Sequence, residues 1–425
     1  VVGNMIGSGI FLLPAALAAY GGISIVGWLF TATGAMLVAL VFARLSRKLP
    51  KAGGLYVYTR EGFGDFAGFL VAWGYWISIW CGNAAIATAF VGYMAVFVPG
   101  LTDSAVLAGA TAAGAIWFLS WVNLRGVRTA GVVQLVTTIL KLAPLVAVGT
   151  LGLLYFRAGN FIPFNASGEP LLAAVTATAA LTLWAFLGLE SATIPADDVI
   201  DPERTIPRAT ILGTFVAAVV YILGTVAVMG VIAPALLAGS MAPFADAASS
   251  MWGGWASYAV AAGAAISCFG ALNGWILLSG QIPLAVARDG LFPASLARIS
   301  GRGVPVTGIV VSGLLATGLI SMNYTRGLVG MFTFIILLAT LTTLVPYVFC
   351  SASDAIITLS KREANGRSWP VLLVVPVLAF LYSLWTIGGS GRDTVYWGFL
   401  LLLAGIPVYV WAKLRHAGPD ARSSA

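Results

Sequence analysis

The sequence predicts an all-α integral membrane protein of about twelve spanning helices, and three observations predict it. Of 425 residues, 60% are hydrophobic and 9% are charged, where a soluble domain carries about 25% charged residues. The mean hydropathy is +0.98. The apolar residues divide into stretches near the roughly 20 residues that a helix needs to cross a bilayer, and the cationic residues fall on alternate connections between them.

Taken in order, each span has its own justification. Span one, 1–20, is apolar but carries three glycines in GNMIGSGI. Span two, 22–43, runs into the basic group Arg44, Arg47, Lys48, Lys51 and Arg60. Span three, 66–98, has Trp73, Trp76 and Trp80 at roughly helical spacing, expected to pack or to sit at an interface, and Asn83 at depth. Span four, 104–122, ends before Arg125 and Arg128, and span five, 128–155, holds Lys141. Span six, 170–200, is interrupted at Gly188 and Pro195. Span seven, 208–234, follows Arg204 and Arg208, with the acidic group Asp197, Asp198, Asp201 and Glu203 just before, expected to be a solvated loop or gate. Span eight, 252–287, ends at Arg288, and span nine, 304–322, follows Arg298 and Arg302. Span ten, 328–355, precedes Lys361, Arg362 and Arg367; spans eleven and twelve, 370–388 and 394–413, close on Lys413, Arg415 and Arg422. The opposite connections carry only Arg157, Arg326 and Arg392. Cations mark the cytoplasmic side, so both termini are expected there, in a multi-pass protein of the cytoplasmic (inner) membrane.

Several function classes are disfavoured. The formal charge of +7 is used up on cytoplasmic loops, so no nucleic-acid partner is implied. Cys81, Cys268 and Cys350 are far apart in apolar segments, in neither disulfide nor metal-ligand spacing. The one histidine, His416, lies in the C-terminal tail. No HExxH and no nucleophile–base pair is present at depth, so neither enzyme, metal nor cofactor is expected. A channel would need a continuous polar lining. The sequons at Asn165 and Asn323 fall in outward loops and carry no weight. The chain starts at Val1 inside an apolar run without an initiator Met, so N-terminal residues are expected to be missing.

Glycine costs about 1 kcal/mol in a helix interior relative to alanine, so GNMIGSGI needs a reason. Gly3 and Gly7 form a GxxxG pair, which alone favours helix packing. The second interrupted segment, TLWAFLGLESATIPADDVIDPE at 182–203, changes that balance. Dividing the chain into two halves of five spans plus two extra makes these the first span of each half. Matching interruptions point to a secondary transporter built from an inverted repeat, with its substrate at the breaks near the midplane. Unwinding would bare the N–H groups around Gly7, Ser8 and Gly9 at a helix N-terminus, which favours a carboxylate. Carbonyls near Trp184 and Leu187 could accept from an α-ammonium.

GNMIGSGIFLLP at 3–14, KAGGLYVYTREGFG at 51–64, TLWAFLGLESA at 182–192 and GWILLSGQ with DGLFP at 274–293 resemble the amino acid–polyamine–organocation superfamily. Within it the chain is most similar to the basic amino acid/polyamine antiporters, such as the arginine:agmatine and putrescine:ornithine exchangers. The resemblance implies a LeuT-like fold of five plus five helices. A first repeat spans 1–155, a second 170–359, and two further helices, 370–413, are associated with a homodimer. It also implies site roles: Ser8 and Gly9 N–H groups for the substrate carboxylate, and Met5, Trp184 and Leu187 carbonyls for the α-amino group. Trp184 is implied as an aromatic lid, Asn83 as the amide for the distal cationic group, and Trp275 as a second cavity aromatic. Glu190 is implied as a gating and pH-responsive acid with Tyr75 and Tyr347 as its partners. Two pocket positions differ, Ala339 where the family has a small polar residue and Ile86 where it has methionine.

Lys141 lies about 20 Å along its helix from either end, too deep to snorkel, and a lysine at that depth is a functional candidate. It resembles the lysine that proton-coupled permeases of the superfamily carry in place of a sodium ion near helices one and eight. The alternative is a lysine merely paired with backbone carbonyls. Glu190 is the one carboxylate expected at depth, with Lys141, a tyrosine or a proton as its partner. The expected function is therefore alternating-access transport of amino acids or polyamines, exchange of a basic amino acid for its amine first. Proton-coupled uptake of a small or neutral amino acid through Lys141 is the rival.

Overall fold

The computed structural model describes residues 1–322, 327–360 and 369–416. Asn323, Arg326, Lys361, Arg362, Arg367 and Arg422 lie outside the described residues, as do the side chains of Arg128, Asp198 and His416. Among the described residues all regular structure is helical.

Span one is two helices, α1 (Val2–Met5) and α2 (Ser8–Ala18), followed by α3 (Ile23–Lys48). A short amphipathic α4 (Leu55–Phe63) leads into α5 (Asp65–Met94), and a single turn α6 (Gly100–Asp103) into α7 (Ala105–Leu124) and α8 (Val127–Leu151). Span six survives as α9 (Leu171–Phe186) and then unwinds through two 3-10 turns before α10 (Pro202–Val231). After α11 (Pro234–Leu237) and α12 (Pro243–Trp252) come α13 (Gly254–Arg288), α14 (Val306–Met322) and α15 (Gly327–Ser360). The last elements are α16 (Trp369–Gly388), α17 (Arg392–Leu403) and α18 (Gly405–His416).

Nine stretches among the described residues are long and apolar enough to cross a membrane, and α2, α9 and α14 are shorter apolar helices. Together they account for the twelve expected spans. The boundaries move where local chemistry differs from hydropathy. Span two continues to Lys48, because its terminal cations favour the carbonyl end of a helix. Span twelve divides at Ala404 into α17 and α18. Helices α4 and α12 were not expected, since nine or ten residues make no apolar run of spanning length.

The centre of the bundle is α5, buried along nearly its whole length, flanked by α13 and α15. Small residues let these helices approach. On α13, Gly263 faces Pro144 of α8, and Gly270 faces Thr137, where an added Cβ would come within 2.4 Å and 2.1 Å. Close backbone approach of this kind drives helix association where lipid removes the hydrophobic incentive. Peripheral helices α16 to α18 keep large apolar side chains exposed, such as Val371, Trp397 and Phe399, as a lipid-facing surface requires.

Candidate functional site

The site begins with a helix that stops after one turn. α1 ends at Met5, Ile6 is extended at φ −77° and ψ 92°, and Gly7 turns the chain at φ −140° and ψ −132° before α2 starts at Ser8. The first N–H groups of α2 have no intrahelical acceptor, and Ser8 and Gly9 supply two of them. Glycine here also serves packing. A Cβ on Gly7 would lie 2.7 Å from Ala271 Cβ, and one on Gly9 would lie 2.8 Å from Ala185 Cα. Breaking and packing are thus combined in one motif rather than alternatives.

The second break meets the first. α9 ends at Phe186, Leu187 is extended, and Gly188 takes φ +107°, a conformation that L side chains resist. A Cβ at Gly188 would be 3.3 Å from Asn4 and from the Met5 nitrogen, so the two breaks lie in contact. Between them Asn4, Met5, Gly7, Ser8, Gly9, Ile86, Trp184, Leu187 and Trp275 surround a slot of about 10 Å³, room for about one water. The Trp184 carbonyl accepts from the Leu187 N–H at 3.2 Å. Trp275 Nε1 donates to the Asn4 carbonyl at 3.1 Å, which ties α13 to the first break. Among the described residues, Ser8 Oγ and Trp184 Nε1 are buried in the slot wall without a hydrogen-bond partner. Asn83, three residues before Ile86 on α5, also has a buried, unpartnered Oδ1.

Glu190 lies beyond Trp184 on the unwound segment and is fully buried. Its partners are tyrosines rather than Lys141: Tyr75 donates to Oε1 and Tyr347 to Oε2, each at 2.6 Å. The Gly188 N–H adds a donor at 3.1 Å and 3.2 Å to the two oxygens. Lys141, equally buried, donates to the Gly3 carbonyl at 2.6 Å and to the Ile6 carbonyl. Ser267 of α13 also donates to Ile6, at 3.3 Å. The lysine therefore meets backbone carbonyls, but those that the first break sets free. Trp73, Trp76 and Trp80 pack within the bundle, Trp73 donating to Leu401 and Trp76 to Ser312.

Two features escaped the sequence. On the side of the slot opposite Glu190, Tyr93 donates to the Phe11 carbonyl at 2.8 Å, and the Phe244 N–H of α12 reaches the Tyr93 hydroxyl at 3.4 Å. The rings of Phe11, Tyr93 and Phe244 meet edge-on and close that side. The second is Asp354, fully buried near the end of α15. Glu190 is thus not the one buried carboxylate; Asp354 is held between Arg44 and Lys48 of α3. Its spacing of seven from Tyr347 was the available signal.

A family model described as amino acid permease matches residues 1–410. The chain belongs to the amino acid permease family. The putrescine transporter PotE of Escherichia coli K12 is 32% identical over 407 residues, which cover 96% of this chain and 92% of that protein. The cadaverine/lysine antiporter of the same strain is 37% identical over 418 residues, with the same coverage. PotE of Haemophilus influenzae is 31% identical over 407 residues, covering 96% and 93%.

In this permease the contact of Gly9 with α9 gives a direct expectation. Gly9→Val places branched carbons where one Cβ already meets Ala185 backbone at 2.8 Å, so the two walls of the slot must separate. Substrate binding by the purified, folded variant is expected to fall below detection, while Ser8→Ala stays within about threefold, because a backbone N–H is unaffected by its own side chain. Equilibrium binding of labelled substrate checks both, and wild-type affinity in Gly9→Val would remove the carboxylate site from this place.

Proposed function

We propose that the chain is a secondary transporter that exchanges a basic amino acid for its decarboxylated amine across the cytoplasmic membrane by alternating access. The observation that carries this reading is the contact between the two helix breaks around a slot with amide donors on one wall and two tryptophans on the others. Whole-chain similarity to a putrescine transporter and a cadaverine/lysine antiporter supports the substrate class.

On this reading Ser8 and Gly9 take the carboxylate, and the Met5, Trp184 and Leu187 carbonyls take the α-ammonium. Trp184 covers the side chain, Asn83 and Trp275 line its far end, and Glu190 with Tyr75 and Tyr347 forms a gate. The slot holds about one water, so substrate entry requires Trp184 or a neighbour to swing aside. Residues 1–155 and 170–359 form the two repeats, 370–413 packs outside them and at a homodimer contact, and both termini face the cytoplasm of a cell with an inner membrane.

Proteoliposomes preloaded with unlabelled lysine, ornithine, arginine, cadaverine, putrescine or alanine test it. Labelled external substrate is expected to enter only where a matching amine or amino acid is inside, and equal uptake into empty vesicles would overturn exchange. Trp184→Leu removes the aromatic face, worth about 0.5–2 kcal/mol over a cation. Affinity is then expected to fall about two- to thirty-fold, with Trp184→Phe between this and wild type; exchange by Trp184→Leu at the wild-type rate would exclude the lid.

One observation favours the second reading, proton-coupled uptake: Lys141 donates to Gly3 and Ile6 at the first break, where a change in its charge would act directly on the site.

A further inference from the structure

We propose that Asp354 is a positioning residue of the transport cycle, whose ion pair with Arg44 and Lys48 locks helix α15 against α3 while the Tyr347–Glu190 gate is closed. The proposal rests on the transporter reading above.

Asp354 follows Tyr347 by seven residues, two turns of helix and about 10 Å along the axis, so both project from one face of α15. Tyr347 holds Glu190, and its ring packs edge-on against Phe42 of α3 at 5.6 Å. Further along α3, Arg44 Nε lies 3.1 Å from Asp354 Oδ2 and Lys48 Nζ lies 3.7 Å from Oδ1. The two helices are therefore joined at the gate and again two turns below it.

Arg44 is committed at each of its nitrogens. Nη1 donates to the Leu372 carbonyl of α16 at 2.8 Å, and Nη2 donates to Thr358 Oγ1 at 3.1 Å. Lys48 donates to the same hydroxyl at 2.9 Å. One planar guanidinium thus fixes the ends of three helices, a task that its rigid fork performs and a lysine at the same position could not. A buried ion pair contributes little net stability compared with apolar packing, and its best-attested use is to set register between elements. Register is what this gate needs, since each tyrosine must reach its own oxygen of Glu190 at 2.6 Å. A charge pair is also reversible, because water entering between separated helix ends takes over both partners.

Cys350 lies between gate and lock, fully buried, its sulfur 3.7 Å from Thr59 Oγ1 and from the Leu55 carbonyl of α4. It reports movement of α15 away from α4, whose Tyr58 ring lies 6.2 Å from the same Phe42 of α3. The experiment uses the full chain with Cys81 and Cys268 replaced by alanine, in detergent and in proteoliposomes. Asp354→Asn, which keeps the shape and removes the charge, is expected to raise the rate of Cys350 modification by a small maleimide at least about fivefold. It should lower the maximal exchange rate about tenfold while the KM for external substrate stays within about twofold. Asp354→Glu, which keeps the charge, should restore protection and at least about a third of the exchange rate, and Arg44→Lys should resemble Asp354→Asn. Wild-type labelling in both Asp354→Asn and Arg44→Lys would overturn the lock, and so would an equal loss in Asp354→Glu and Asp354→Asn. Labelling needs no substrate, so failure of the lock is distinguished from failure of the transporter reading, which would appear as absent exchange by the unmodified chain.

Discussion

Lys141→Ala is expected to weaken substrate binding at least about tenfold and to abolish transport. The ammonium group holds the Gly3 and Ile6 carbonyls, which bracket the last turn of α1 and the start of the break. Lys141 is fully buried, so bulk solvent does not reach these carbonyls. Alanine orphans the Gly3 carbonyl and leaves the Ile6 carbonyl only the longer bond from Ser267 at 3.3 Å; an orphaned buried acceptor costs about 1–3 kcal/mol, and every 1.4 kcal/mol is a factor of ten. The cost falls on the conformation that presents Ser8 and Gly9. Lys141→Met restores the volume without the donors and should not rescue binding. Equilibrium binding to purified protein measures this, and wild-type affinity in Lys141→Ala would mean that the backbone holds the break unaided. Empty vesicles carrying the unmodified chain separate the two coupling modes. Exchange predicts little uptake into empty vesicles at any pH gradient. Uptake by the unmodified chain driven by an inward proton gradient would establish the rival.

How far the sequence reached depends on what kind of interaction fixed each feature. The spans were legible because burial in lipid is a matter of composition and length. Both breaks were legible because Gly7 and Gly188 are costly inside apolar helices. That the breaks touch was not, since only the fold brings Gly188 within 3.3 Å of Asn4. Read from the residues alone, the partner of Glu190 stayed open among three possibilities for the same reason, Tyr75 and Tyr347 being 115 and 157 residues away; only the resemblance pointed to these two tyrosines. Asp354 was overlooked because it sits at a span's edge, where a carboxylate looks solvated, and its burial depends on Arg44 reaching across from α3. The aromatic closure by Phe11, Tyr93 and Phe244 relies on α12, too short for a hydropathy reading to register.

Glu190→Gln is expected to uncouple the transporter rather than silence it. The carboxylate offers only acceptors, and the structure uses both oxygens: one hydroxyl donates to each at 2.6 Å, and the Gly188 N–H approaches between them. A glutamine of the same shape turns one oxygen into a donor that faces a donating tyrosine hydroxyl. That hydroxyl must turn from donor to acceptor, which leaves its own proton without an acceptor in a place with no exposure to solvent. Hydrogen bonds to a charged group contribute about 1.5–3 kcal/mol each, so the closed gate loses stability equivalent to at least about tenfold in population. An exchanger depends on that closed state to block return without cargo. Preloaded vesicles carrying Glu190→Gln, diluted into substrate-free buffer, should therefore lose labelled substrate at least about five times faster than wild type. Tyr347→Phe removes a single donor and leaves the carboxylate paired with Tyr75 and Gly188, so its leak should be smaller. Glu190→Asp, one methylene shorter, cannot reach both hydroxyls at once and should leak like the glutamine variant. If Glu190→Gln retains its cargo and exchanges at the wild-type rate, the tyrosine–carboxylate network is a structural tie and the gate lies elsewhere along the path.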